Sequence, residues 1–589
     1  MVITLTTITE KLKIVEALIR IPSYYVIGYT QGHLVYVSNV EGTRDIWSMD
    51  LGTRKSIKIT KGGIHSVSPV RQKSPLIVYT YDVSKGRELQ QVFVNDVKGG
   101  KEVKINEMEP RRVLGLGFDG ESIALGAVGE KGMELWLLRP DGSAEKVHEV
   151  NALLFVTDYN DGKIVGQGIF KGDPRAYEIF IYDIKRGEFR VYTPKDGSVN
   201  KAPKVKGDLV LFATTAFGNE KLMIYNLSKE ELEEPKFAYN DYEKYDFVEY
   251  VNFNWTEDGR IWFIGKRNGR TKAFVDGKEV PMPEGFSSNM AVFYEKVYIT
   301  HSSLTSPPKV YEVDLKTGKR RVVLSAELPE DVASRFGRVS FIQYESSDGI
   351  KIPTYVIESN VAPKPGPTIV YVHGGPWAEV VDGWNVLIAS LVVSGYHVVA
   401  PNFRGSTGYG ENFRRMDIGD PGGGDLDDVV NAAKWARKSG LASRVAVMGY
   451  SYGGYMTFLA TVKRPEVWDA GVAGAGIVDW EESYKLSDAF FRQFIDTLFG
   501  GRRDLWKDRS PIHFAERLKV PLCIIHPQND TRTPLRPVLR YVMKLLELGK
   551  TFELHVVPDM GHVIRSIEDI LKIVMPAIIF LDKYLTSEG

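Results

Sequence analysis

Between about residues 24 and 325 the chain alternates short apolar and polar runs, and one unit returns seven times. Its openings are "LVYVSN" at Leu34, "LIVYTY" at Leu76, "IALGAV" at Ile123, "IVGQGI" at Ile164, "LVLFAT" at Leu209, "IWFIGK" at Ile261 and "VYITHS" at Val297. After each opening comes a glycine- or charge-rich turn, then a second run such as "DIWSMD", "EIFIYDIKRG" or "KVYEVDLKTG". Successive openings lie 36 to 52 residues apart. That is the length of a four-stranded blade, so the pattern predicts a seven-bladed β-propeller over residues 24–325. The histidines of this half (His33, His65, His148 and His301) are scattered, and the region reads as a scaffold or gate.

After about residue 326 the period changes. Runs with the look of buried strands ("TIVYVHGG", "HVVAPNFRG", "RVAVMGYS", "AGVAGAG", "PLCIIHPQND" and "FELHVVPDMGH") now alternate with amphipathic stretches such as "DLDDVVNAAKWARKSG" and "LRPVLRYVMKLLELGK". This alternation predicts a doubly wound, mostly parallel sheet over residues 326–589, the α/β-hydrolase class, with reactive groups at the carboxyl ends of its strands. Residues 1–23 stand apart from both halves. Glu10, Lys11, Lys13 and Glu16 interrupt their apolar residues, which argues against a signal peptide and for an amphipathic helix with Leu12, Val15, Leu18 and Ile19 on one face.

Composition adds exclusions. A chain of 589 residues exceeds what one core supports. Its 75 basic and 75 acidic residues cancel, so no global field recruits nucleic acid or an anionic membrane. No apolar run approaches the length that spans a bilayer. The single cysteine, Cys523, excludes an intramolecular disulfide and a cysteine-based metal cluster. It reads as a core residue, agrees with a reducing compartment, and suggests a cytoplasmic location.

The candidate chemistry centres on "GYSYGG". A strand over Arg444–Met448 runs into Gly449-Tyr450-Ser451-Tyr452-Gly453, and a helical segment follows, the context of a nucleophile elbow. A serine hydroxyl needs a base, and the base an orienting carboxylate. His562 in "HVVPDMGH" and Asp530 in "CIIHPQND" supply them at the ends of later strands, in the order serine, acid, histidine. Asp559 competes for the acid but reads as a turn residue, while His526 and His555 sit inside β-rich runs. For the oxyanion, one donor is the backbone N–H of Tyr452 and the other the N–H of Gly375 in "VHGGPW". His373 and Arg404 read as structural hydrogen-bonders. After "AGVAGAG", the bulky residues Ile477, Trp480, Phe491, Phe494 and Ile495 suggest either an apolar pocket or simply core, with Trp377 closing one side.

"HGGPW", "PNFRGSTGYG", "GYSYGGYM", "HPQNDTRTPL" and "PDMGH" together resemble the prolyl oligopeptidase family of serine peptidases, most of all its archaeal acylaminoacyl peptidase branch. The resemblance covers nearly the whole chain. It implies that residues 1–23 pack on the hydrolase domain and that the propeller admits short peptides but not folded proteins. It further implies release of N-acylated amino acids from short blocked peptides, side esterase activity, and no cofactor or metal. It places Arg532 facing the cleft, toward substrate carbonyl oxygens, and favours the pocket role for the apolar residues. Homodimers are common in that branch. A carboxylesterase and a dipeptidyl or oligopeptidase of the same family remain alternatives, as does a binding protein with an inactive hydrolase domain.

Overall fold

The structure, a computed structural model, describes residues 7–586. Its first helix, α1 (Ile8–Ile19), starts at a capping box in which the Thr7 hydroxyl accepts from Glu10 N–H and the Glu10 carboxylate accepts from Thr7 N–H. Val15, Leu18 and Ile19 are buried in one cluster with Ile388, Leu391, Ile573 and Ile578 of the hydrolase half. Lys11 Nζ reaches Asp582 at 2.5 Å. Each aliphatic side chain so buried contributes about 1.5–3 kcal/mol, which fixes α1 to the catalytic half although the propeller intervenes in sequence. Leu12 packs partly buried against the same cluster.

Seven sheets of four sequential antiparallel strands follow, from Tyr24–Thr30 to Arg320–Leu324. The seven sequence openings fall on the second strands of the blades, from His33–Ser38 to Lys296–Ser303. A cavity of about 340 Å³ touches the first strand of every blade, including Gly28, Val67, Leu116, Thr157, Lys204, Asn252 and Met290, so these strands line the axis. In every blade the first strand carries one extra residue against the second, a bulge that increases local twist. The ring closes without strand exchange. Val26 of blade 1 donates its N–H to Thr300 Oγ1 of blade 7 at 2.8 Å, and Asn289 Nδ2 donates to Val26 O at 3.0 Å.

The hydrolase half is one eight-stranded sheet: β1 (Phe336–Glu345), β2 (Lys351–Ser359), β3 (Gly366–Val372), β4 (His397–Pro401), β5 (Ala442–Tyr450), β6 (Ala470–Gly474), β7 (Leu522–Pro527) and β8 (Phe552–Val557). The spatial order is β1-β2-β4-β3-β5-β6-β7-β8. The first two pairings are antiparallel and the rest parallel. Helices α2 (Gly424–Lys438) and α3 (Tyr452–Lys463) pack in a core on one face with α4 (Ala489–Leu498), and α1 lies with α5 (Ile567–Leu581) in a core on the other. Cys523 is fully buried in β7, and burial pushes its thiol pKa up, which makes it a packing residue. Among the described residues no helix is long and apolar enough to cross a membrane.

Candidate active site

β5 ends at Tyr450 and α3 begins at Tyr452, leaving Ser451 alone in the turn with φ 61° and ψ −119°. A non-glycine residue held there stores of order 1–3 kcal/mol of backbone strain. The turn is tight because three backbone segments meet. A Cβ on Gly453 would lie 2.0 Å from Val372 O, and one on Gly449 would lie 2.5 Å from the same oxygen. These contacts explain both flanking glycines and leave the serine side chain free above the sheet.

His562 follows β8, and its Nε2 lies 2.8 Å from Ser451 Oγ. Its Nδ1 lies 2.7 Å from Asp530 Oδ2, beyond the end of β7. The Asp530 carboxylate also accepts from the N–H groups of Arg532 and Thr533, each at 2.9 Å, and from Thr533 Oγ1 at 2.8 Å. Burial alone would raise the Asp530 pKa, but His562 and these donors outweigh it and hold the carboxyl below its ordinary value. Tyr450 supports the histidine turn by donating its hydroxyl to His562 O at 3.0 Å. Serine, histidine and aspartate thus form one connected chain. Asp559 sits apart at a turn with φ 55°, 3.3 Å from Lys85, and His526 Nε2 is held 2.7 Å from Thr533 O.

The "HGG" loop runs beside the serine. A Cβ on Gly374 would lie 3.3 Å from Ser451 Cβ, and Gly375 has φ 124°. The N–H groups of Gly375 and Tyr452 donate to no acceptor among the described residues. His373 is buried, with its ring nitrogens 2.7 Å from Gly374 O and 2.9 Å from Ser406 Oγ. Burial pushes its pKa down to about 4, so it is a neutral anchor for this loop and not a second base. Arg404 binds Asp428 and Asp348 through bidentate pairs and anchors its own loop.

The apolar residues divide. Trp377 and Phe494 are half-buried with rings 5.5 Å apart, and Phe491 stacks on Phe494 at 5.0 Å. Ile477 is 5% exposed, whereas Trp480 and Ile495 are 0% exposed and belong to the core. Trp480 packs against Tyr455 and Phe499, at 4.9 and 5.1 Å. The substrate contact expected of Trp480 and Ile495 is therefore corrected. The helical face predicted for α4 is real, but Ile495 lies at its buried centre and Phe494 at its edge.

Arg532 also departs from expectation. Its guanidinium is engaged by the propeller, with Nε and Nη2 donating to the two Glu88 carboxylate oxygens at 2.7 and 2.9 Å. Arg112 Nη1 binds the same Glu88 at 2.8 Å, while its Nη2 and Nε reach Thr531 Oγ1 at 2.9 Å and Asp488 at 2.6 Å. Glu88 is 2% exposed; burial alone would raise its pKa, but the two guanidiniums hold it below the ordinary range. The blade-2 loop carrying Glu88 also touches the histidine turn, for a Cβ on Gly561 would lie 1.7 Å from Gly86 O. Sequence reading missed Glu88, Arg112 and Asp488. Replacing Glu88 with Gln would leave the Arg532 guanidinium facing no carboxylate and Arg112 with Asp488 alone. We expect a stability loss of about 3 kcal/mol, read as a lower thermal midpoint, together with a fall in kcat/KM. An unchanged midpoint would show that the pair does not clamp the domains.

Two further carboxyls lie beneath the site. Asp425 accepts from the Tyr452 hydroxyl at 2.5 Å, and Asp417 accepts from Trp377 Nε1 at 3.1 Å. Burial pushes Asp425 up to about 7, against the opposing pull of the Tyr452 and Gly422 hydrogen bonds, and it pushes Asp417 well above its ordinary value. The folded protein therefore holds the Asp425 proton more tightly than the unfolded chain, where the carboxyl titrates near ~4. Its contribution to stability is full below about pH 4, falls as pH rises, and is lost by about pH 7. The wild-type thermal midpoint should decline relative to Asp425→Asn across that window. Parallel profiles would contradict this assignment.

Residues 35–311 match the acylamino-acid-releasing enzyme-like N-terminal domain, and residues 383–588 match the prolyl oligopeptidase family. Dipeptidyl aminopeptidase BIII of Pseudoxanthomonas mexicana is 30% identical over 319 residues, covering 49% of this chain and 45% of that protein. The acylamino-acid-releasing enzyme of Rattus norvegicus is 27% identical over 232 residues, covering 38% and 32%. The matched regions thus span less than half the length of these curated relatives. Among solved structures, a puromycin-hydrolyzing peptidase of Mycobacterium tuberculosis superposes with a TM-score of 0.82 at 17% identity, covering 98% of this chain and 96% of that one. Pyrococcus horikoshii acylaminoacyl peptidase superposes at 0.73 with 18% identity, covering 98% of each chain. At these identities the structures speak to the fold alone, a propeller joined to an α/β-hydrolase. Both halves are thus matched at the level of sequence: the chain carries an acylamino-acid-releasing enzyme-like N-terminal domain over residues 35–311 and a catalytic region over residues 383–588 that matches the prolyl oligopeptidase family of serine peptidases.

Proposed function

We propose that this protein is a serine peptidase that releases N-acylated amino acids from short blocked peptides and hydrolyses simple acyl esters as a side activity. The observation that carries this reading is the state of the carboxylates around the triad. Glu88 is paired with Arg532 and Arg112, Asp488 with Arg112, and Asp82 with Arg565. A free peptide amine would need a carboxylate to hold its charge, and each of these is already matched by a guanidinium. An acylated amino terminus is neutral and makes no such demand. Glu481 and Glu482, the adjacent pair near the pocket, bind Lys485 and the arginines 536 and 540 at the start of a helix.

In the proposed reaction Ser451 Oγ attacks the scissile carbonyl carbon as His562 Nε2 takes its proton, and Asp530 holds the imidazole tautomer and stabilises the cation. The N–H groups of Tyr452 and Gly375 receive the oxyanion, an interaction worth about 3–4 kcal/mol per donor. Collapse breaks the C–N bond, and His562 gives its proton to the departing amine. Water then attacks the Ser451 ester with His562 as base, regenerating the serine and releasing the acylated amino acid. The apolar rim of Trp377, Phe491 and Phe494, with Ile477 behind it, suits an apolar residue at the attacked carbonyl. The propeller loop packed on the histidine turn supports a restriction to short peptides. A cytoplasmic location belongs to this reading and is supported by the lone buried cysteine.

The test is product identity. Incubated with acetyl-Phe-Ala-Ala, the enzyme should release acetyl-phenylalanine and Ala-Ala, seen by mass spectrometry. An inert blocked peptide, together with cleavage of the unblocked one, would overturn the proposal. That outcome would favour the aminopeptidase reading suggested by the name of the Pseudoxanthomonas relative, in which Glu88 exchanges Arg532 for a substrate ammonium.

A further inference from the structure

A cavity of about 520 Å³ lies where α1, blade 1 and the hydrolase half meet. Leu18, Ile19, Val26, Val37, Trp384 and Ile567 form most of its apolar wall. Its charged liners are Arg44 and Arg565, and no carboxylate is among its lining residues. Arg565 is committed to Asp82 at 2.9 Å. Arg44 is different: among the described residues its guanidinium makes no ion pair, and it shares the cavity wall with the Tyr25 phenol and with Arg565. Tyr25 and Arg44 carry accessible surface, yet both line the cavity, and the surrounding protein pushes the phenol pKa up and the guanidinium pKa down.

Arg44 is exposed and, among the described residues, has no carboxylate partner, and water covering the apolar part of the wall gains little, although serines and asparagines also line the cavity. One kind of molecule relieves both: an apolar body bearing a single carboxylate, which a guanidinium binds through two parallel hydrogen bonds. The volume lies within the range of small-molecule sites. We propose that this cavity binds an amphiphilic monocarboxylate, with its head on Arg44 and its apolar body against Leu18, Ile19, Val37 and Trp384. Medium-chain fatty acids and N-acylated apolar amino acids share that chemistry. No member of the triad lines the site. Its wall nevertheless includes residues 564–567, the strap that follows His562 and is stitched to blade 1 by Ile567 N–H to Gly42 O at 2.8 Å and Arg44 N–H to Arg565 O at 3.1 Å. The proposal does not rest on the peptidase reading.

The experiment is calorimetric titration of decanoate, and separately of N-acetyl-leucine, into the full chain with Ser451 blocked by a fluorophosphonate. At least one acid should bind once per chain with Kd below about 100 µM. Its methyl ester should bind at least tenfold more weakly, as should the acid to Arg44→Met protein of unchanged thermal midpoint. Binding of decanoate alone would identify a lipid-derived ligand, and binding of N-acetyl-leucine alone a peptide-derived one. Saturation by neither acid, or an ester as tight as its acid, would overturn the site. So would an Arg44→Met variant that binds like the wild type. The ester comparison decides the matter even if that variant does not fold.

Discussion

Ser451→Ala is expected to lower kcat/KM for acetyl-leucine p-nitroanilide by a factor on the order of 10⁴–10⁶ while leaving the fold intact. The substitution removes the hydroxyl that lies 2.8 Å from His562 Nε2. The strained backbone persists, because it is imposed by the approach of Val372 O to Gly449 and Gly453 and not by the serine side chain. The variant should therefore keep the wild-type thermal midpoint within a few degrees and lose all fluorophosphonate labelling. Retained turnover would place the nucleophile elsewhere. Retained labelling would mean that the probe reads a different hydroxyl.

Gly561→Ala should be the most damaging single methyl that can be added outside the elbow. Its Cβ would lie 1.7 Å from Gly86 O and 2.5 Å from Gly86 C, so backbone on one side of the domain seam must move by an ångström or more. On one side of that contact is the turn leading directly into His562; on the other is the blade-2 loop that carries Glu88. A displacement of about 1 Å at a catalytic base costs on the order of 100-fold in rate. We expect kcat to fall by that factor with KM changed less, since the apolar rim at Trp377 and Phe494 is untouched. Wild-type kcat in the variant would show that the two loops yield without moving the histidine.

The propeller was legible because its second and third strands keep clean apolar runs between glycine or acidic turns. Its first strands were not, since the extra residue in each reverses the alternation partway along, as between Val26 and Gly28 or Ser287 and Asn289. The elbow could be read from "GYSYGG" because two glycines around a serine between strand and helix have few other uses. The acid and histidine followed from strand order. Glu88 and Arg112 could not be found this way. They belong to a half with no catalytic motif, more than 400 residues from the triad loops they hold, and Glu88 owes its reach to a loop backbone with φ 62°. Asp417 and Asp425 were hidden for another reason. In "DIGDPGGGDLDD" they look like a solvated acidic stretch, whereas the structure buries both beneath the Trp377 and Tyr452 side chains. In α4, spacing placed Phe491, Phe494 and Ile495 on one face without saying which edge of that face meets solvent.

The charge pairing around the triad leads to one decisive comparison, kcat/KM for acetyl-leucine p-nitroanilide against leucine p-nitroanilide at neutral pH. With Glu88 and Asp488 neutralised by arginines, the acetylated substrate should be preferred at least tenfold, a difference of about 1.4 kcal/mol or more in transition-state binding. Equal values, or a preference for the free amine, would contradict the assignment of blocked peptides as substrates.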